Sequence, residues 1–281
     1  MTADGTTIAR ALVASSALRL DRLDAQLLML HALGKAPTDR AWLLAHDLDT
    51  LSAPTEALFH ALVQRRLAGE PVAYLTGHKA FYGLDLCVDA RVLVPRPDTE
   101  TLVDWALALS GAHETTTSPC SVIDLGTGSG AIALALKHAR GQLVVAATDC
   151  SAEALAVARA NALRLALDVH FSQRTWLDGV EGHFDLIVSN PPYIALHDPH
   201  LPELAHEPLQ ALTSGADGLD DIRQIIAQAP THLNPGGWLL LEHGFNQAAM
   251  VRSLLIGAGF RSVASRRDLG GHERCSGGQK V

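Results

Sequence analysis

The sequence predicts an α/β protein, a mostly parallel, doubly wound sheet preceded by a small all-α region. Three observations carry this. From Ser121 onward, short β-branched runs alternate with helical runs. One strand-to-helix junction, Asp124-Leu125-Gly126-Thr127-Gly128-Ser129-Gly130-Ala131, is rich in glycine. Residues 8–69 show helical spacing and no strand pattern.

In the helical region, Leu23, Leu27 and Leu30 repeat at helical spacing, with a stop at Gly34. Arg40 to His46 reads as a short helix around Trp42 and Leu43. Pro54 opens a helix from Thr55 to Leu67 that Gly69 closes. Residues 72–97 change character. Val72 to Gly77 and Leu84 to Val88 look extended, which predicts a β-hairpin linker. Val94 to Glu100 holds two prolines in a rigid turn, and Asp98 or Thr99 is placed to cap the helix Glu100 to Leu109. Residues 111–119 are small and polar and read as a surface loop. The expected divisions are 1–71, helical; 72–97, linker; and 98–281, the α/β domain.

Within that domain, Val122 to Leu125 is the first strand and Ala131 to Ala139 the helix after it. Leu143 to Thr148 is the second strand, ending at Asp149, and Ser151 caps a helix from Ala152 to Leu165. Val169 to Ser172 and Phe184 to Ser189 follow as strands. A helix Ile222 to Gln228, a turn at Asn234 to Gly237, a strand Trp238 to Glu242 and a helix Gln247 to Ile256 complete the alternation. Closing strands are expected around Val263 and Cys275.

Composition narrows the class. The 281 residues carry a net charge of −8, which argues against a protein that holds nucleic acid by its phosphates. Four cysteines, none in a CxxC pair, signal neither a zinc site nor a disulfide framework, so a cytoplasmic setting is expected. No signal peptide and no membrane-spanning run is visible. His197, His200 and His206 have Pro199, Pro202 and Pro208 interleaved, which prevents helical i, i+4 pairing, so a solvated loop rather than a metal site is expected.

The chemistry converges on two strand ends. Gly126, Gly128 and Ala131 fit a dinucleotide turn, and Gly126, Gly128 and Gly130 fit a turn for S-adenosylmethionine. The turn alone leaves both open. Asp149, at the end of the next strand, is placed to accept hydrogen bonds from a ribose, which both cofactors carry. The strand at 184–189 stops at Asn190-Pro191-Pro192-Tyr193, because two prolines cannot continue a ladder. That tetrad offers a side-chain oxygen at Asn190, the carbonyl of Pro191 and the aromatic face of Tyr193, a set suited to a planar group bearing NH2. Methyl transfer from a sulfonium requires mainly in-line positioning of such a nitrogen, whereas hydride transfer requires an acid or base that no motif here places.

The glycine turn together with the tetrad resembles the class I S-adenosylmethionine-dependent methyltransferases, whose catalytic domain is Rossmann-like. Pro71 to Gly77, Leu93 to Glu100, Leu241-Glu242-His243-Gly244 and Arg267-Asp268-Leu269-Gly270 are similar to the HemK/PrmC family, over nearly the whole chain. The resemblance implies methylation of the side-chain amide nitrogen of the glutamine in the Gly-Gly-Gln motif of peptide chain release factors. It implies that Gly126, Thr127, Gly128, Ser129 and Gly130 line the cofactor's amino-acid end, that Asp149 holds its ribose, and that Trp176 packs near the adenine. Asn190, Pro191, Pro192 and Tyr193 would hold the substrate amide, with Asn190 also beside the cofactor. The helical domain would dock the release factor, and the enzyme is expected to act as a monomer. Two departures stand out. Ala205-His206 precede Glu207-Pro208 where family members often carry an Arg and an aromatic, so no role for a basic residue is carried over. Ser129 replaces the usual Thr and keeps a hydroxyl. The sister family acting on a large-subunit ribosomal protein typically has Pro-Arg-Ser-Pro at Pro95 to Asp98, which favours the release factor. An adenine-N6 nucleic-acid methyltransferase shares the tetrad but would need a basic cleft. A nucleotide-binding oxidoreductase rests on Gly126, Gly128 and Ala131 alone.

Overall fold

The computed structural model describes residues 5–111 and 119–281. Residues 1–4 and 112–118, the latter most of the predicted polar loop, lie outside the description. The chain divides into two compact units. The first runs to His78 and takes in Glu203–His206; the second comprises Lys79–Pro202 and Glu207–Val281. Among the described residues no helix is long and apolar enough to cross a membrane.

The first unit holds α1 (Ile8–Ala17), α2 (Arg22–Ala32), α3 (Arg40–Ala45), α4 (Ala53–Leu67) and α5 (Val72–Thr76). Side chains of Thr7, Asp21 and Ser52 accept from backbone N–H groups in the first turns of α1, α2 and α4, satisfying donors that a helix start leaves orphaned. Leu28, Met29, Leu30, Leu43, Phe59 and Leu62 fill its core. Leu23 differs from expectation. It sits in the first turn of α2, 45% exposed, and the buried stripe starts at Ala25. Arg66 on α4 reaches Asp24 on α2 at 2.7 Å.

Val72 to Gly77 is also corrected, from extended to helical. Pro71 fixes the entry to α5, and Gly77 ends it at φ 76°, a left-handed stop that a glycine adopts without strain. The hairpin lies just beyond, as β1 (His78–Phe81) and β2 (Leu84–Cys87). Buried Asn161 pins it: its amide donates to Cys87 O at 3.0 Å and accepts from Cys87 N at 2.8 Å, and it also donates to Ser129 O at 3.0 Å.

In the second unit a 3-10 turn at Pro97–Thr99 leads into α6 (Glu100–Ser110). There follow β3 (Ser121–Leu125), α7 (Ala131–Ala139), β4 (Val144–Asp149), α8 (Ala152–Leu165), β5 (His170–Gln173), β6 (Phe184–Ser189), α9 (Asp220–His232), β7 (Leu233–Glu242), α10 (Ala248–Gly257), β8 (Arg261–Arg267) and β9 (Glu273–Gln279). The strand order is β5-β4-β3-β6-β7-β9-β8. The first five of these pair in parallel, and β9 is antiparallel to both β7 and β8. Helices cover both faces, so β3 and β6 are apolar almost throughout. Ile123, Leu125, Ile187, Leu239 and Leu241 pack against Ile222, Ile225, Val251 and Leu255 of α9 and α10.

Two boundaries move. α9 begins at Asp220, because Asp220 and Asp221 suit a helix N-terminus and Asp221 N donates to Ser214 Oγ at 2.8 Å. β7 begins at Leu233, so Asn234 to Gly237 is strand rather than turn. A register shift opposite Phe184–Leu186 accommodates the extra residues, Asn234 Nδ2 donates to Asp185 at 2.8 Å, and Lys280 N donates to Gly237 O at 2.8 Å. The sheet order reverses between β3 and β6. At such a switch point the strand ends diverge and leave a crevice for ligand.

Candidate active site

Both sequence-predicted loops emerge at that crevice. A cleft of about 180 Å³ lies there, lined by Gly126, Gly128, Asp149, Trp176, Asn190 and Pro192 among others. The glycine turn starts where Gly126 N and Thr127 N both donate to Thr148 O, at 2.8 and 2.9 Å. Gly126 has φ 70°, and a Cβ there would come within 3.0 Å of the Trp176 ring, so the indole rests on bare backbone. At Gly128 (φ 55°) a Cβ would meet no protein atom. The floor of the cleft is thus a cradle kept open by the lack of side chains, with the N-terminus of α7 behind it.

The other turn residues look inward. Thr127 donates its hydroxyl to Asp124 at 2.6 Å, Ser129 is 2% exposed, and a Cβ on Gly130 would strike Leu134 at 2.9 Å. Thr127, Ser129 and Gly130 therefore shape the turn from beneath, and Gly126 and Gly128 face the cleft. Asp124 is fully buried below them. Burial pushes its carboxyl up to about 7, against the Thr127 hydroxyl and the Ala133 N–H, and one of its oxygens has no hydrogen-bond partner.

Asp149 forms the cleft wall at the end of β4. It accepts from Gly128 N and Ser151 N, both at 2.9 Å, and burial raises its pKa against those bonds. Each oxygen keeps a further lone pair for a ligand hydroxyl. Trp176 sits opposite with φ 54°, a strained backbone for a bulky residue, and its carbonyl accepts from Thr148 Oγ1 at 3.2 Å.

The tetrad divides. Asn190 and Pro192 line the cleft, whereas Pro191 is buried beneath it. The Tyr193 hydroxyl donates to Glu242 Oε1 at 3.4 Å, and its carbonyl accepts from Gln247 Nε2 at 3.0 Å. Asn190 Nδ2 donates to Thr99 Oγ1 at 3.2 Å. The amide NH2 is engaged on the protein side, and Oδ1 is left to accept from a ligand.

Thr99 and Glu242 were not predicted at this site. Asp98 or Thr99 was expected to cap the helix, but Thr99, at the cap position, makes no capping bond and is 4% exposed. Its signal was a hydroxyl two residues after a proline, which looks the same for either use. Glu242, at the end of β7, is 1% exposed. Burial pushes its carboxyl up to about 7, opposed by the Thr99 hydroxyl and the Arg274 guanidinium. A glutamate closing an apolar strand, Trp238-Leu239-Leu240-Leu241-Glu242, was the cue available. Glu207 is also buried. It accepts from Val94 N at 3.0 Å and pairs with Arg96, which ties the segment after the tetrad to the proline turn. The three histidines diverge: His200 bonds Asp198, His206 bonds Ala68 O, and His197 is exposed.

Residues 109–255 match the Methyltransferase small domain family and residues 7–77 match the PrmC N-terminal domain family. A release factor glutamine methyltransferase of Xylella fastidiosa is 50% identical over 275 residues, spanning 96% of this chain and 97% of the relative. One from Bordetella pertussis is 49% identical over 264 residues, spanning 92% and 95%. Among solved structures, the N-terminal domain of human METTL16 in complex with SAH aligns with a TM-score of 0.53 at 18% identity, covering 71% of this chain and 76% of that one. That likeness is one of fold.

Proposed function

We propose, for a chain that belongs to the release factor glutamine methyltransferase family, that it methylates the side-chain amide nitrogen of the glutamine in the Gly-Gly-Gln motif of peptide chain release factors. S-adenosylmethionine is the methyl donor, and when bound it supplies a methyl group already activated on a sulfonium. Gly126 and Gly128 would take its amino-acid end on bare backbone, Asp149 its ribose hydroxyls, and Trp176 would cover the adenine side. The cradle fits such a group, because nothing but open space meets a Cβ at Gly128.

The observation that carries the reading is Asn190, whose NH2 is held by Thr99 and whose Oδ1 is free at the rim of the donor cleft. An amide nitrogen is a weak nucleophile because its lone pair is delocalised. Two acceptors, Asn190 Oδ1 and the Pro191 carbonyl, would take its two hydrogens and turn the lone pair toward the donor. Tyr193 would flank the planar group.

The helical unit would dock the release factor. It carries a core of its own and exposes Leu44 and Leu48 at 68% and 79%. Action in the cytoplasm and as a monomer completes the proposal. A labelled methyl donor offered with a release factor, a large-subunit ribosomal protein or duplex DNA tests it. Label is expected in the release factor. Label in either of the others, and none in the release factor, overturns it.

A further inference from the structure

The cleft assigned to the donor is walled in part by two stretches that lie far apart in the sequence. Arg91, Val92 and Leu93 come from the chain just ahead of the proline turn, and Pro208, Gln210 and Ala211 from the segment after the tetrad. Neither stretch lies in a strand, so no sheet ladder holds either of them. Resting on the reading of this cleft as the donor site, we propose that Glu207 is a positioning residue whose carboxylate clasps the two stretches together and so holds that wall ready for S-adenosylmethionine.

The geometry uses both carboxylate oxygens. Oε2 accepts from Val94 N at 3.0 Å, across 113 positions of sequence, and Oε1 pairs with the Arg96 guanidinium. Val94 is buried, so this bond satisfies an N–H that would otherwise go unpaired away from water. Val94 directly follows Leu93, the last wall residue of the first stretch. On the other side, Pro208 directly follows Glu207. Its φ is −62°, and it leads into a 3-10 turn at Leu209–Ala211, so the second stretch leaves the clasp stiffly. The far end of that stretch is tied down separately. Ile194, the residue after the tetrad, donates its N–H to Leu212 O and accepts from Ser214 N, both at 2.9 Å. Residues 208–211 thus form a strap along the cleft, fixed at 212–214 to the chain leaving the tetrad and at Glu207 to the proline turn. The Glu207 side chain is 3% exposed. A buried carboxylate paired with a guanidinium adds little net stability, because both lose water. A wall ordered before the donor arrives, however, removes an ordering cost from binding.

The test uses the full-length enzyme with S-adenosylmethionine and compares Glu207→Ala, Glu207→Gln and Gly128→Val by calorimetric titration, stopped-flow release of the donor and hydrogen exchange read by mass spectrometry. Glu207→Ala is expected to weaken donor binding about tenfold through faster release, with kcat at saturating donor kept within about twofold. Glu207→Gln keeps one acceptor and is expected to lose about threefold. Exchange at 208–211 should quicken in Glu207→Ala, and in the wild type the donor should slow exchange at 91–94 and 208–211. Wild-type donor affinity in both Glu207 variants, with Gly128→Val weakened, would overturn the clasp alone. So would a Glu207→Ala that loses kcat at saturating donor as much as affinity, which is the mark of a general structural defect. If Glu207→Ala does not fold, wild-type exchange at 91–94 and 208–211 that the donor leaves unchanged would overturn it. Wild-type affinity in Gly128→Val as well would instead remove the reading of the cleft beneath it.

Discussion

The two strand ends beside the switch point solve opposite problems. At the end of β3 the proposed grip is made of backbone. Its useful property is what it lacks: Gly126 lets the Trp176 ring come close to the chain, and Gly128 leaves the floor open. At the end of β6 the proposed grip is a side chain. Asn190 is held by the buried hydroxyl of Thr99. The donor side needs shape and a few N–H groups, because the methyl arrives activated. The acceptor side must impose a direction on a poor nucleophile, and direction requires oriented polar atoms. Damage at the first end should therefore appear in donor affinity, and damage at the second in rate.

Asn190→Ala should show the largest effect, a fall in kcat of about a hundredfold with donor affinity nearly unchanged, read by steady-state kinetics and calorimetric titration. Gly128→Val should weaken donor binding about 30-fold by filling the cradle at a left-handed backbone position, and a normal dissociation constant would refute the cradle. Asp149→Ala should weaken donor binding about tenfold, and a drop in kcat at saturating donor would blur the division between the two ends.

A smaller effect concerns stability. Glu242 has a folded pKa of about 7, above its ordinary 4.5. Its contribution to stability is therefore fully present below the ordinary value and lost as pH rises through about 7. Gln cannot titrate, so Glu242→Gln should gain on the wild type by about 2–4 °C in melting temperature between pH 5 and pH 8. An unchanged difference across that range would mean that the carboxyl is not strained by burial. Tyr193→Phe should be mildest, about twofold in rate, since it removes one long 3.4 Å bond.

The comparison also explains what the sequence made legible. The backbone-made end is readable because glycines at a strand-to-helix junction have few other uses, and prolines after Asn190 mark a strand end. Even so, spacing did not reveal that Thr127, Ser129 and Gly130 face inward, since that depends on Asp124 and Leu134 beneath them. The side-chain-made end is half hidden. Asn190 and Thr99 are 91 positions apart and meet only in the fold. Locally, Thr99 looks like a helix cap. Val72 to Gly77 and Asn234 to Gly237 misled for a related reason. Local propensity favoured strand and turn, whereas a left-handed stop at Gly77 and the Asp185 and β9 bonds at 234–237 decided otherwise.

The most direct test of the account is tandem mass spectrometry of a release factor after incubation with the enzyme and S-adenosylmethionine. The account predicts a single methyl group on the side-chain nitrogen of the Gly-Gly-Gln glutamine, absent when Asn190→Ala replaces the wild type. A methyl group on a lysine, an arginine or a backbone atom instead, or the same glutamine modified at full rate by Asn190→Ala, would contradict it.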